Sequence, residues 1–182
     1  MKPKVQTTTL VYSGFFELHQ DLLEREDGVT HPFTKLILGT NAVVVLAQTK
    51  EGRFILNREY RHSPGVTLLG PPGGRLEKDE DPILGGQREF HEETGYWSDD
   101  ILLIGSSYPF PGICDQKIFY LWAKNAYKRG DQKLDEFEFI ETELKTEQEM
   151  RDEILLNGSH IDGNLCTALW YKDQFCYNQS PS

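Results

Sequence analysis

Glu89, Glu92 and Glu93 stand at i, i+3 and i+4, the spacing that brings three carboxylates onto one face of a helix. Three anions so close repel one another unless a cation neutralises them. Mg²⁺ suits the task, because it takes hard oxygen ligands and shares its shell among carboxylates, waters and substrate phosphate. A bound dication also reverses the local sign of charge. An acidic chain can then hold an anionic ligand that it would otherwise repel.

The elements that must position these groups are legible around them. Asp81 followed by Pro82 suits a helix N-cap with proline at the first helical position. Gly95 suits the left-handed residue that closes the helix. Gly85 and Gly86 lie inside it and cost about 1 kcal/mol each against alanine, which close packing on a sheet would explain. His91 falls between the glutamates at a spacing that turns it elsewhere.

Upstream, VQTTTLVY (5–12) and FFELHQDLLER (15–25) alternate loosely as edge or hairpin strands do, and NAVVVLAQ (41–48) is a β-branched run fit for a buried strand. A turn at Gly52 leads into RFILNREYR (53–61), predicting a hairpin. Downstream, 100–109 and 116–126 read as strands. Helices are predicted at 147–156 and at about 162–177, the second with Leu165, Leu169 and Trp170 inward. Strands, one helix, strands, then helices predict a mixed sheet covered on both faces.

The chain has 182 residues, enough for one domain with a substantial core. A net charge of −10 argues against nucleic acid and anionic membrane surfaces as partners. Neither a secretory leader nor a run of transmembrane length is expected. Cys114, Cys166 and Cys176 form no Cys-x-x-Cys pair and read as reduced thiols of a cytoplasmic protein.

The segment GGRLEKDEDPILGGQREFHEETGY fits G-x5-E-x7-R-E-U-x-E-E-x-G-U, U being a bulky apolar residue, through Gly74, Glu80, Arg88, Glu89, Glu92, Glu93 and Gly95. It resembles the Nudix box, the signature of enzymes that cleave nucleoside diphosphates linked to another group. The resemblance implies an α/β fold, the Nudix-type α/β/α sandwich with a mixed sheet, here with an N-terminal β extension. It implies Mg²⁺ as cofactor, with Mn²⁺ as a substitute. Glu89 and Glu93 would be the main metal ligands, Glu92 a further or water-mediated one, and the Gly73 carbonyl would complete the shell. Arg88 and Glu80 would hold loop and helix in place.

Outside the box, REYRHSPG, YPFPGICDQ and LDEFEFIETELKTEQEM resemble stretches of ADP-ribose and nucleotide-sugar pyrophosphatases. That likeness puts Arg61 on a substrate phosphate and Pro111 and Asp115 at the substrate. It makes Glu136 the general base and Glu138 an additional metal ligand. Two departures loosen the substrate assignment: Gly70-Pro71 stands where that branch carries Glu-Leu, and Gln116 replaces an acidic residue. Expected, then, is hydrolysis of a nucleoside diphosphate sugar, ADP-ribose first, to a nucleoside monophosphate and a sugar phosphate. The alternatives are hydrolysis of nucleoside triphosphates or dinucleoside polyphosphates, and a non-catalytic nucleotide sensor. The strands before Thr40 resemble the extension with which relatives build a homodimer.

Overall fold

NAVVVLAQ and RFILNREYR form the hairpin their sequence predicts, Ala47 opposite Ile55 and Gln48 opposite Phe54. This computed structural model describes residues 2–179. It divides into two compact units, one made by the residues up to Asn41 with Ser107–Ile118, the other by Ala42–Ser106 with the chain from Phe119 onward.

In the first unit, β1 (Lys4–Ser13), β2 (Glu17–Glu24) and β3 (Thr30–Ile37) make a three-stranded antiparallel sheet. Every residue of β1 is exposed, including Val5, Leu10, Val11 and Tyr12. The third strand was not expected from sequence; its Pro32 and flanking polar residues weaken the strand signal.

In the second unit the hairpin strands are β4 (Ala42–Thr49) and β5 (Phe54–Arg61), followed by short β6 (Val66–Gly70) and β7 (Gly73–Arg75). Helix α1 (Pro82–Thr94) leads to β8 (Tyr96–Trp97), β9 (Asp100–Ser107), β10 (Ile118–Lys128) and β11 (Ile140–Lys145). Helices α2 (Glu147–Leu156) and α3 (Gly163–Gln179) finish the chain. The eight-stranded sheet runs β11-β5-β4-β10-β8, with β6 on β5, β7 on β4 and β9 on β10.

Period-two alternation sends the sheet's side chains to two faces. Val43, Val45, Ala47, Ile55, Leu121 and Ala123 pack with Phe90 of α1. On the other face Tyr120 stacks on Tyr171 of α3, and Lys172 of α3 lies over Phe54 and Trp122. The result is the α/β/α sandwich expected. Both helix limits of α1 are as read: Asp81 Oδ1 accepts the N–H groups of Ile83 (2.8 Å) and Leu84 (3.2 Å), and Gly95 closes the helix at φ 68°.

Two expectations are corrected. Trp170 is 59% exposed, because the buried positions of α3 are Leu165, Ala168 and Leu169 and the next residue turns about 100° away. The acidic stretch LDEFEFIETELKTEQEM, for which no strand was expected, contains strand β11, which pairs along β5 from Ile140–Glu59 to Lys145–Phe54. Its alternation was hidden by its acidic residues.

Gly85 and Gly86 are where α1 meets its neighbours. A Cβ at Gly86 would run into Leu121 and the Val43 methyl, and one at Gly85 would meet Leu76 and Glu80. Gly86→Ala therefore trades about 1 kcal/mol of helix propensity for overpacking of a buried contact. The expected outcome is a net loss of about 1–2 kcal/mol in urea unfolding; an unchanged midpoint contradicts the packing account.

Candidate active site

Strand β7 brings two glycines against the sheet and under α1. Gly73 has φ 154°, and a Cβ there would lie 2.7 Å from Val44 Cα. At Gly74 a Cβ would lie 2.5 Å from Glu89 Oε2 and 2.6 Å from its carboxyl carbon. The missing side chain at Gly74 is thus the seat of the Glu89 carboxylate.

Glu93 is 6% exposed, and its Oε2 accepts two hydrogen bonds, from Asn57 Nδ2 and from the Gly73 N–H, both 2.8 Å. Burial pushes its carboxyl up to about 8; the Gly73 bond opposes this, and the charges of Glu59, Glu89 and Glu138 add to it. Glu89 and Glu59 are also raised, chiefly by burial. Arg88 opposes the rise at Glu89 and Arg61 opposes it at Glu59, while the Glu138 charge adds at both.

Arg88 holds this group to the loop. Its Nε and Nη2 donate to Glu80 (3.1 and 3.0 Å), Nη2 also reaches the Arg75 carbonyl (3.3 Å), and Nη1 donates to Glu89 (2.8 Å) and Glu92 (3.1 Å). The Arg88 bond in turn lowers the Glu80 carboxyl. No ammonium can reproduce that planar fork. Arg88→Lys is expected to lower kcat/KM by about 10–100-fold, measured under initial-rate conditions; an unchanged value means the fork does not orient the glutamates.

The carbonyls at the end of α1, which no residue of the helix can satisfy, are closed from one segment. Lys133 N–H donates to Glu92 O (2.7 Å), Gln132 Nε2 to Glu93 O (2.5 Å), and Lys128 Nζ to Thr94 O (2.8 Å). The N–H groups of Arg129 and Gly130 reach Gly95 O at 2.9 and 3.0 Å. The two main glutamates therefore sit on a helix end fixed to the sheet.

Of the residues singled out from sequence, Glu89, Glu92, Glu93, Arg88 and Gly73 come together here, Gly73 meeting Glu93 through its N–H. Glu138 belongs to the loop before β11 and acts on Glu59, Glu89 and Glu93 through its charge. Glu136 is exposed on a turn of that loop. Arg61 lies in an ion pair with Glu59 (2.6 Å) and 4.0 Å from Asp162, beside a recess also lined by Asn57, Gly70 and Pro71. Pro111 and Asp115 belong to the first unit, where Pro111 is exposed and Asp115 accepts the Leu38 N–H (3.0 Å).

Asn57, Glu59 and Asp162 went unnoticed in the sequence. Ile55, Asn57, Glu59 and Arg61 alternate along β5, so one polar file continues the buried face toward α1. That alternation was the available signal for the first two. Asp162 approaches only through the fold, its N–H bonded to the Leu69 carbonyl (2.9 Å).

Among the described residues, no group of three or more histidine, cysteine, aspartate or glutamate side chains is placed to hold a metal ion. Mg²⁺ does not require one, since it commonly takes one or two carboxylates and fills its shell with water and phosphate. Buried Glu93 and half-buried Glu89, both raised by burial and by nearby carboxylate charge and the second seated where a side chain is missing, fit such an ion.

Residues 38–161 match the NUDIX domain. Over 132 residues the chain is 33% identical to the ADP-ribose pyrophosphatase of Bacillus subtilis (strain 168), covering 72% of this chain and 67% of that one. Over 140 residues it is 32% identical to the methanol dehydrogenase activator of Bacillus methanolicus, covering 76% and 75%. A solved structure described as an ADP compounds hydrolase superposes with a TM-score of 0.87 at 20% identity, over 99% of this chain and 97% of that one, and shows the same fold. Fold and site define a pyrophosphohydrolase. The chain belongs to the NUDIX family.

Proposed function

We propose that the protein is a Mg²⁺-dependent hydrolase of nucleoside diphosphate sugars, ADP-ribose first among them, releasing a nucleoside monophosphate and a sugar phosphate. The observation that carries this reading is the seating of Glu89 against Gly74 beside buried Glu93, which accepts the Gly73 N–H. Similarity to an ADP-ribose pyrophosphatase supports the substrate class.

Glu89 and Glu93 would hold the ion, with Glu92, Glu138 and the Gly73 carbonyl as further ligands. When bound, a divalent cation supplies the positive charge that stabilises negative charge developing on the phosphate oxygens. Arg88 keeps Glu89 and Glu92 in place. Arg61 meets a substrate phosphate by exchanging its carboxylate partners for it. Pro111 and Asp115 contribute to substrate binding. Glu136 takes the proton of the attacking water at its carboxylate.

A general base contributes about 10²–10⁴-fold. Glu136→Gln should lower turnover by that factor with Mn²⁺ affinity unchanged, whereas Glu138→Gln should weaken Mn²⁺ binding. If Glu138→Gln alone slows turnover at saturating metal, the two roles exchange.

A side chain at position 70 would press on Asp162, whose Cβ would be 2.9 Å from the new Cβ. The glutamate of the ADP-ribose branch therefore does not fit there, which favours a wider substrate range. Rates on ADP-ribose, UDP-glucose, GDP-mannose, ATP and diadenosine tetraphosphate decide it, with products weighed after reaction in ¹⁸O-labelled water. A preference for ATP or diadenosine tetraphosphate overturns the sugar-nucleotide reading.

The homodimer belongs to the same proposal. It is supported by the exposed apolar residues of β1 and by Phe15, 72% exposed; light scattering showing only a monomer refutes it. A cytoplasmic enzyme without nucleic-acid or membrane partners is in keeping with the net charge of −10. No helix among the described residues is long and apolar enough to cross a membrane.

A further inference from the structure

Asn57 is the polar interruption of a buried strand: Phe54, Ile55 and Leu56 before it are fully buried, and it is itself 2% exposed. A buried amide costs stability unless its groups are bonded, and here both ends are. Nδ2 donates to Glu93 Oε2 (2.8 Å), and Oδ1 accepts from Thr142 Oγ1 (3.3 Å), the residue directly opposite on β11. Gln132 closes the circuit, donating from Nε2 to Thr142 Oγ1 (3.2 Å) and to the Glu93 carbonyl (2.5 Å). A ring of hydrogen bonds thus leaves Glu93 by its carboxylate and returns to its backbone.

Both donors on the Glu93 carboxylate, Asn57 and the Gly73 N–H, end on Oε2. Among the described residues, no hydrogen bond ends on Oε1 of Glu93. We propose that Asn57 is a positioning residue for Glu93, fixing Oε2 so that Oε1 alone is offered to a divalent cation. The inference rests on Glu93 being a metal ligand. Asparagine suits this role better than its charged neighbours in chemistry. A lysine would neutralise the carboxylate that must attract the ion, and an aspartate would repel it, whereas a neutral donor sets the angle and leaves the charge.

The test uses Mn²⁺ alone, titrated into the full-length protein without substrate and followed by the electron paramagnetic resonance signal of free Mn²⁺. Asn57→Leu, close in volume, and Asn57→Ser, smaller, should each weaken Mn²⁺ binding by about 10–100-fold. Melting midpoints in EDTA are recorded alongside. A purely structural Asn57 would lower those midpoints and leave the Mn²⁺ dissociation constant of the folded molecules within twofold, which overturns the proposal. In the ¹⁵N-labelled natural protein the Asn57 side-chain amide signals should shift as Mg²⁺ is added. Signals unmoved at saturating Mg²⁺ overturn the proposal even if neither variant folds. Mn²⁺ bound by the natural protein but equally by the variants defeats this inference alone; Mn²⁺ unbound by the natural protein defeats the metal reading and this inference with it.

Discussion

Glu89→Gln combined with Glu93→Gln is expected to abolish turnover, with a fall of about 10⁴-fold or more. The two carboxylates are the candidate ligands placed closest to the glycine step, and a dication at a phosphoryl centre is worth several kcal/mol of transition-state stabilisation. Each amide keeps the shape of the acid, and the oxygen that replaces Glu93 Oε2 still accepts from Asn57 and Gly73. The variant removes one buried and one half-buried carboxyl, each destabilised as an anion by burial and by nearby acids. It should therefore melt at or above the midpoint of the natural protein when both are measured in EDTA. That pairing of a dead enzyme with an undamaged fold is the diagnostic result. Retained hydrolysis of ADP-ribose by the double variant would remove these residues from the chemistry.

The second large effect is a coupling of pH, metal and stability. Glu93 has its carboxyl pushed up to about 8 in the folded chain, against an ordinary value of 4.5. Between those two values the unfolded chain binds fewer protons than the folded one, so stability falls as pH rises through this window. The total for a shift of this size is on the order of 5 kcal/mol, complete just above pH 8. Glu59 and Glu89 are raised as well and act in the same direction. The lowered carboxyls, Glu80 and Glu143 among them, act below about pH 4.5 with the opposite sign and leave this window alone. A cation that binds the ionised glutamates restores what ionisation costs, and more so at higher pH. In EDTA, the urea midpoint should be clearly lower at pH 8.5 than at pH 5.5. Ten millimolar Mg²⁺ should raise it strongly at the higher pH and little at the lower. A flat profile in EDTA, or an equal Mg²⁺ effect at both pH values, speaks against Glu89 and Glu93 as the metal site.

Much of this site could be read from residue order because its elements are local. Asp81, Pro82 and Gly95 delimit α1 by short-range rules of backbone and cap, and the glutamate spacing then fixes one shared face. The sheet's central hairpin was equally legible from its apolar run. What escaped was the non-local part. Asn57 meets Glu93 36 residues later in the chain, and Thr142 meets Asn57 across 85. Strand β11 hid among acids because its Glu143 pairs with Arg58 of β5 and with Lys145 of its own strand rather than with solvent alone. Trp170 misled for a simpler reason: a large aromatic beside a buried leucine looks like core, while the helix angle sends it outward. Gly70 shows the reverse, a residue that reads as an absence and turns out to be room for Asp162.

The closure of the end of α1 by residues 128–133 has an electrostatic corollary. Asp81 at the N-cap suits the peptide dipoles, but Glu92 and Glu93 stand in the last turn beside His91, where those dipoles disfavour an anion. Each misplaced anion costs about 0.3–1 kcal/mol, and the partial negative charge of the terminal peptide groups adds to theirs. Lys128 offsets part of this at Thr94. The remainder is a standing negative potential that a dication meets before it touches any one side chain. Transplanting the same acids to the amino end of a helix would reproduce their spacing and lose that attraction.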